Sequence, residues 1–263
     1  MKPTPPNPGL RAEGLTLGYG SRRVIDGLDL DLPAGKVTAI LGPNGCGKST
    51  LLHALARLTP PLAGRIMLDG QDIRDLPARA LAQRLAILPQ ASTAPPGIRV
   101  SDLIRRGRAP WRGLLQPWNA ADAAACEQAI RALGLQKIAD DSLDALSGGQ
   151  RQRAWLALVL AQSSRYLLLD EPTTWLDLPH QIEILRLLQR LNRDQGLTVI
   201  SVLHDLNLAA RFCDHLVLLG RDGLVALGTP QQVMTEANLA QAFGLAARVL
   251  PDPVTGAPMV CPL

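Results

Sequence analysis

The first residues able to do chemistry form the run G-P-N-G-C-G-K-S at 42–49, which matches G-x-x-x-x-G-K-[ST] at every fixed position. The run follows an apolar, strand-like segment at 37–41 and precedes a segment with helical spacing. Glycines let the backbone curl so that successive N–H groups point at phosphate oxygens, and a helix start adds partial positive charge. We expect a phosphate-binding loop, with Lys48 at the β and γ phosphates and Ser49 on Mg²⁺. A tight glycine turn beside a surface lysine is the alternative.

Two adjacent carboxylates, Asp170 and Glu171, follow the apolar run YLLL at 166–169. Ligands of open α/β sheets lie at the carboxyl ends of the strands, where this pair is expected. Neighbouring acids repel each other, and a bound divalent cation relieves that repulsion. We expect Asp170 to serve Mg²⁺ and Glu171 to position and deprotonate an attacking water. Such pairs also occur as loop residues or helix caps.

A second glycine-containing segment, L-S-G-G-Q at 146–150, stands directly before a run of helical character. Ser147 is a good N-cap, and the two glycines after it would leave several N–H groups of the helix start facing outward. This arrangement predicts a second anion site, while a serine cap with a glycine loop end is the alternative. The residues alone indicate two anion sites and leave open how the two are used.

The pentapeptide resembles the signature motif of ABC-type ATPase subunits, and the resemblance covers nearly the whole chain. In that family two copies pack head to tail, and each signature motif closes over the γ-phosphate held by the other copy's glycine loop. The resemblance therefore implies a homodimer with ATP and Mg²⁺ as its cofactors. It also implies that the residues binding ATP in trans are Ser147, Gly148, Gly149, Gln150 and Asp177.

The same resemblance assigns the other site residues, since Gln90 matches the Q-loop glutamine, His204 the switch histidine and Asp177 the D-loop aspartate. Tyr19 would stack on adenine, although a strand-end tyrosine could simply pack, and Trp175 departs from the less bulky residue usual in the D-loop. The implied catalytic residues are Lys48, Gln90, Glu171 and His204, and the implied Mg²⁺ ligands are Ser49, Gln90 and Asp170. The implied ATP contacts are Tyr19, Gly42, Pro43, Asn44, Gly45, Cys46, Gly47, Lys48, Ser49 and Thr50, with Cys46 a variable loop position rather than a nucleophile.

Strand-like runs that alternate with helix-like runs predict an α/β fold with a mostly parallel core sheet, because crossover helices cover both faces of such sheets. We expect a P-loop NTPase with an N-terminal antiparallel β subdomain and an inserted α-helical subdomain. The predicted parts are a flexible lead at 1–10, an ABC ATPase domain at 11–263 with its helical insertion at about 92–164, hairpins at 13–32 and around 221–223, a helix at 178–195 and an extended tail from 248.

Composition limits the function classes. The 263 residues are 47% hydrophobic and carry a formal charge of +4, with no long Lys/Arg tract, so a nucleic-acid partner is not expected. The four cysteines are scattered, which favours reduced thiols in a cytosolic chain. No apolar leader and no 18-residue apolar window occur, so the sequence predicts a protein that is neither exported nor membrane-spanning.

The segment at 99–112 holds five arginines, Arg99, Arg105, Arg106, Arg108 and Arg112, around Trp111. It is interpreted either as a solvated basic face or as a contact surface near a membrane partner. Together with T-T-W-L-D-L-P-H-Q at 173–181 and the tail L-P-D-P-V-T-G at 250–256, it resembles the importer ATPases for ferric siderophores, haem or cobalamin, and the match is closest to the siderophore type.

This resemblance implies an ATPase bound to the cytoplasmic face of the bacterial inner membrane and powering uptake of an iron chelate. Its partners would be a second copy, integral membrane permease subunits and, indirectly, a periplasmic substrate-binding protein. Three alternatives stay open. They are a haem or cobalamin importer ATPase, a soluble ABC-type protein acting on DNA or ribosomes, and an unrelated P-loop kinase or GTPase.

Overall fold

The computed structural model describes residues 9–20, 22–113, 116–174 and 176–263. The expectations for the lead at 1–8 and for Trp175 lie outside the described residues. By its internal contacts the chain divides into two compact units. The first comprises the chain up to Leu76 together with Leu188–Leu263, and the second is Pro77–Leu187.

The described strands are β1 (Gly9–Tyr19), β2 (Arg22–Pro33), β3 (Val37–Leu41), β4 (Ala63–Leu68), β5 (Gln71–Asp72), β6 (Leu85–Leu88), β7 (Tyr166–Asp170), β8 (Thr198–Val202), β9 (His215–Gly220), β10 (Gly223–Gly228), β11 (Ala247–Pro251) and β12 (Pro258–Pro262). The described α-helices are α1 (Lys48–Leu55), α2 (Ala78–Arg84), α3 (Val100–Arg105), α4 (Ala120–Ala132), α5 (Gly148–Ala161), α6 (Leu178–Gln195), α7 (Leu206–Phe212), α8 (Pro230–Val233) and α9 (Glu236–Phe243). Short 3-10 helices lie at Arg106–Trp111, Gln136–Ile138 and Leu143–Ala145.

The first unit begins with an antiparallel sheet of order β2-β1-β4-β5. Its central strand β1 buries Leu10, Ala12, Leu15 and Leu17, as expected where a sheet has one covered face. β1 and β2 pair antiparallel, with Leu10 opposite Leu32, which is the hairpin that the alternating sequence predicted.

The strand that leads into the glycine loop lies among parallel neighbours in the first unit. All five residues of β3 are buried, and β3 pairs in parallel with both β8 and β9. Continuous apolar runs such as VTAIL are typical of strands covered on both faces. β9 continues into the antiparallel partner β10, which is the second predicted hairpin.

The second unit contains a parallel pair, β6 and β7, together with three helices that contact one another, α3, α4 and α5. An internal ion pair joins the 3-10 helix Arg106–Trp111 to α4. Arg108 and Asp122 lie 2.9 Å apart, with side chains 8% and 2% exposed. Arg108 also donates to the carbonyl oxygen of Ala161 at the end of α5, at 2.8 Å.

The C-terminal segment differs from the expected extended tail. β11 and β12 form an antiparallel hairpin, in which Asp252 accepts from the N–H groups of Val254 and Thr255 in the turn. The Asn207 side chain then donates to the carbonyl of Val260 and accepts from its N–H, at 3.2 and 2.7 Å. Flanking prolines obscured this pairing in the sequence, because proline lowers strand propensity.

The predicted fold class is confirmed, since mostly parallel strands, an N-terminal antiparallel sheet and a block of helices are all present. The helix predicted at 178–195 has those bounds, while α2 was not predicted and α8 and α9 replace one expected short helix. Among the described residues, no helix has the length and hydropathy needed to cross a bilayer.

The buried ion pair yields a stability prediction. Arg108→Ala leaves the Asp122 carboxylate buried without its cation, and such a loss costs about 3 to 5 kcal/mol. Urea denaturation followed by circular dichroism should show that loss in the free energy of unfolding. The matched control is Arg131→Ala, which removes an exposed pair with Glu127 and should cost at most about 0.5 kcal/mol. Equal losses in the two variants would contradict the structural role of Arg108.

Candidate nucleotide-binding and hydrolysis site

The glycine loop follows β3 and runs into α1, as predicted. Gly42 and Gly47 have φ of +151° and +102°, a backbone region that residues other than glycine avoid. A Cβ at Gly42 would lie 2.5 Å from the carbonyl oxygen of Leu219, and one at Gly47 would lie 2.8 Å from Cγ1 of Val24. The loop backbone therefore requires glycine at both positions, for conformation and for space.

Lys48 is held inside this loop and is only 6% exposed. Its ammonium group donates to the carbonyl oxygens of Gly42 and Pro43, at 2.9 Å each. These acceptors are neutral, so they orient the ammonium group without cancelling its charge. A buried charge is stabilised by an opposite charge, and the loop therefore suits an anion such as phosphate.

Cys46 packs within the loop and is 6% exposed. Burial raises the pKa of its thiol, although the nearby Lys48 charge acts in the opposite direction. A thiol with a raised pKa is protonated at neutral pH and is a weak nucleophile. This agrees with the expectation that Cys46 is a loop position rather than a reactive group.

Tyr19 ends β1 in the same unit and is 59% exposed. Its hydroxyl lies 3.3 Å from Oγ1 of Thr50, near the start of α1. This contact places an exposed aromatic ring beside the predicted phosphate loop, as a base-stacking residue requires. His204 is also exposed in this unit and lies between the end of β8 and the start of α7.

In the second unit the structure brings together Gln90 and Glu171, which are 81 residues apart in sequence. The side-chain Nε2 of Gln90 donates to Oε2 of Glu171 at 2.9 Å. Glu171 has a φ of +54°, a left-handed conformation that is rare and strained for a residue with a side chain. Such strain is concentrated at functional sites, which supports a special role for this carboxylate.

Asp170 and Asp177 lie on either side of this glutamate in the sequence and differ in environment. Asp170 ends β7 and is 1% exposed, so its carboxylate suits a bound cation. Asp177 accepts from the N–H of His180 at 3.3 Å, and its carboxylate also contacts the His180 ring. The hydrogen bond from that ring is the main reason that the pKa of Asp177 is lowered.

The segment L-S-G-G-Q at 146–150, here named the signature segment, forms a preorganised helix start. Oγ of Ser147 accepts from the N–H of Gln150 at 3.3 Å, and Oε1 of Gln150 accepts from the N–H of Ser147 at 3.0 Å. The N–H groups of Gly148 and Gly149 lie between them in the first turn of α5, where no helical carbonyl is available. A Cβ on Gly148 would meet nothing within 4 Å, so a ligand can approach the backbone there.

Sequence reasoning missed one residue at this site, Thr174. Its hydroxyl donates to Oε2 of Glu171 at 3.1 Å, so this oxygen accepts hydrogen bonds from both Thr174 and Gln90. The signal in the sequence was weak, because it consisted of a hydroxyl three positions after the glutamate.

Comparison with known proteins decides the family. Residues 25–174, more than half of the chain, match the model of the ABC transporter family. The chain belongs to this family. It is therefore an ABC-type ATPase, which binds and hydrolyses ATP.

The relatives of this ABC ATPase match it over almost its full length. It is 48% identical over 254 residues to the ferric enterobactin transport ATP-binding protein FepC of Escherichia coli (strain K12). That match covers 97% of this chain and 94% of FepC. It is 50% identical over 248 residues to the achromobactin transport ATP-binding protein CbrD of Dickeya dadantii (strain 3937). That match covers 94% of this chain and 92% of CbrD.

A solved ABC transporter assigned to the metal-chelate type, in an inward-facing conformation, matches this ABC ATPase with a TM-score of 0.84. The two are 30% identical, and the match covers 98% of each chain. A bacterial ABC transporter cassette solved as a dimer matches with a TM-score of 0.74 and 26% identity over 84% of this chain and 98% of that one.

The basic segment at 99–112 of this ABC ATPase exposes fewer arginines than its sequence suggested. Arg108 faces inward to Asp122 and does not belong to an exposed face. The remaining arginines partly line a pocket of about 460 Å³, here named the arginine–tryptophan pocket, formed by Arg105, Arg106, Ala109, Arg112 and Trp118. The guanidinium groups of Arg105 and Arg112 lie 4.6 and 5.5 Å from the centre of the Trp118 ring, so this tryptophan and not Trp111 organises the pocket.

The loop geometry predicts that Lys48→Ala weakens ATP binding by at least about 30-fold, since it removes a buried cation that two loop carbonyls orient and that we expect to bond phosphate. Isothermal titration of ATP into the purified protein measures this change. Lys36→Ala, which removes an exposed lysine from the same unit, is the matched control and should leave the affinity unchanged. Unchanged binding by the Lys48 variant would contradict the assignment of the loop.

Proposed function

We propose that this protein is the ATP-hydrolysing subunit of a bacterial ABC importer and that it powers uptake of an iron chelate, in particular a ferric siderophore, across the inner membrane. The similarity to FepC and CbrD carries this proposal, because it extends over more than nine tenths of every chain compared. FepC is named for the transport of ferric enterobactin, and CbrD is named for the transport of achromobactin.

The residues of each unit suit the steps of ATP hydrolysis. Lys48 and the N–H groups of the glycine loop bind the phosphates, and Tyr19 binds the adenine ring. Glu171 takes a proton from the attacking water, and His204 contacts the γ-phosphate. The strained backbone of Glu171 and the two donors on its carboxylate support its role as the base.

Mg²⁺ fits the chemistry of the residues proposed to bind it. Ser49, Gln90 and Asp170 offer a hydroxyl, an amide and a carboxylate oxygen, which are the oxygen donors that this hard cation prefers. When bound, Mg²⁺ neutralises negative charge on the phosphates. The burial of Asp170 supports this assignment, because a cation stabilises a carboxylate removed from water.

We propose that two copies of the chain share each ATP. The N–H groups at Gly148 and Gly149, with Ser147, Gln150 and Asp177, bind the γ-phosphate side of the ATP held by the partner's glycine loop. Hydrolysis removes the bridging phosphate and releases the dimer. The capping box supports this role, since it holds the helix start in place before any anion binds.

The remaining partners follow from transport. ABC importer ATPases work with membrane permeases, and we propose that this chain docks on permease subunits at the cytoplasmic face of the inner membrane and is served indirectly by a periplasmic binding protein. The arginine–tryptophan pocket is the proposed docking surface for acidic residues of the permease, because three arginines line it and two of their guanidinium groups lie over the Trp118 ring.

Haem is a second candidate cargo. The chain is 41% identical over 262 residues to the hemin import ATP-binding protein HmuV of Rhodococcus jostii (strain RHA1), which spans 98% of this chain and 89% of that protein. We rank haem second, because the identity to FepC and CbrD is higher.

An uptake experiment tests the proposal. A strain that lacks this protein is supplied with radioactive iron as enterobactin, achromobactin and hydroxamate complexes, and in parallel with haem and cobalamin. We expect the loss of uptake for at least one ferric siderophore and its recovery with the natural gene but not with Lys48→Ala. Loss confined to haem would favour the second candidate, and normal uptake of every compound would contradict import of iron chelates.

The same strain tests the docking surface. The double substitution Arg105→Glu and Arg112→Glu reverses charge in the pocket and should lower uptake about 10-fold or more while ATP binding is retained. Arg131→Glu reverses an exposed charge in the same unit and is the matched control. Normal uptake in the double variant would exclude the pocket from docking.

A further inference from the structure

Glu171 and Thr174 are the ends of one tight turn. The carbonyl of Glu171 accepts from the N–H of Thr174 at 3.2 Å, which closes the turn directly after β7. The backbone of Glu171 within this turn is left-handed, with φ of +54°. As a result Oγ1 of Thr174 reaches Oε2 of Glu171 at 3.1 Å.

The second donor to Oε2 of Glu171 comes from a different part of the chain. Gln90 lies two residues beyond the end of β6 and donates to Oε2 at 2.9 Å. Under the proposed function Gln90 also serves Mg²⁺, so its amide has two roles. Thr174 belongs to the same turn as Glu171, and its hydroxyl stays within reach for as long as that turn persists.

Orientation is what a general base requires from such a donor. A glutamate side chain has several rotatable bonds, and proton transfer needs the carboxylate within hydrogen-bond reach of the water. A hydroxyl bonded to one carboxylate oxygen restricts that freedom before the substrate binds. Hydrogen bonds to charged groups contribute enough to change a rate by about 10-fold or more.

We propose that Thr174 is a positioning residue for ATP hydrolysis, which holds the Glu171 carboxylate in the orientation from which it takes a proton from the attacking water. This inference rests on the proposed role of Glu171 as the base. In that step the water oxygen bonds to the γ-phosphorus, the bond from that phosphorus to the ADP oxygen breaks, and the water proton passes to Glu171. Thr174 acts through Glu171 and accepts no proton itself.

Two substitutions separate positioning from packing. Thr174→Val keeps the shape of the side chain and removes the hydroxyl, and it should lower kcat for ATP hydrolysis about 10-fold while KM for ATP changes less than about 2-fold. Thr174→Ser keeps the hydroxyl and should restore kcat to within about 3-fold of the natural protein. Full kcat in the valine variant, or equal losses in both variants, would overturn the inference.

A double-mutant cycle with Glu171→Gln identifies the residue through which Thr174 acts. Measured in single turnovers of the full-length protein, Glu171→Gln should lower hydrolysis at least about 100-fold, and adding Thr174→Val should lower it no further. Normal hydrolysis by Glu171→Gln alone would remove Glu171 as the base. Slow hydrolysis by Glu171→Gln, with a further full loss from Thr174→Val, would leave the base in place and overturn only the positioning role.

Discussion

The loop that follows β3 has a backbone that only glycine adopts at two positions, and the candidate phosphate site of the first unit depends on this constraint. Gly42 and Gly47 have positive φ, and neighbouring atoms leave no space for a side chain at either position. An ordinary turn does not require glycine so strictly. The buried strand β3 is paired on both sides, so the loop starts from a fixed point. Lys48 then supplies a charge that is oriented by carbonyls and left for an anion to neutralise.

The second unit is organised on the same principle of preparing groups before the ligand binds. Glu171 adopts a strained backbone, and two donors fix one of its carboxylate oxygens. The helix α5 begins with a reciprocal capping box, so the glycines of the signature segment are held in the first turn without an anion. Electrostatic preorganisation of this kind is a major source of rate enhancement, because little rearrangement is needed during the reaction.

The parts predicted from sequence were those with local causes. The glycine loop, the β3 strand and the α6 helix depend on residue types and spacing within a few turns of chain, and each was found at its predicted place. The missed features depend on contacts between distant residues. In the sequence Arg108 resembles its exposed arginine neighbours, and only the contact with Asp122 shows that it is buried. Gln90 lies 81 residues from Glu171. The β11–β12 hairpin is held partly by a hydrogen bond from Asn207 of α7. Local patterns carry no information on such pairings, whereas the family resemblance implied roles for Gln90 and Glu171.

We propose that each ATP is bound by two copies of the chain, one supplying Lys48 and the other Ser147. The most direct measurement mixes Lys48→Ala with Ser147→Arg, each inactive alone, and follows ATP hydrolysis. Half of the randomly paired dimers are mixed and have one complete site of two, so activity should return to at most about a quarter of the natural value. No recovery on mixing, together with full activity of the natural chain as a monomer at high dilution, would contradict it.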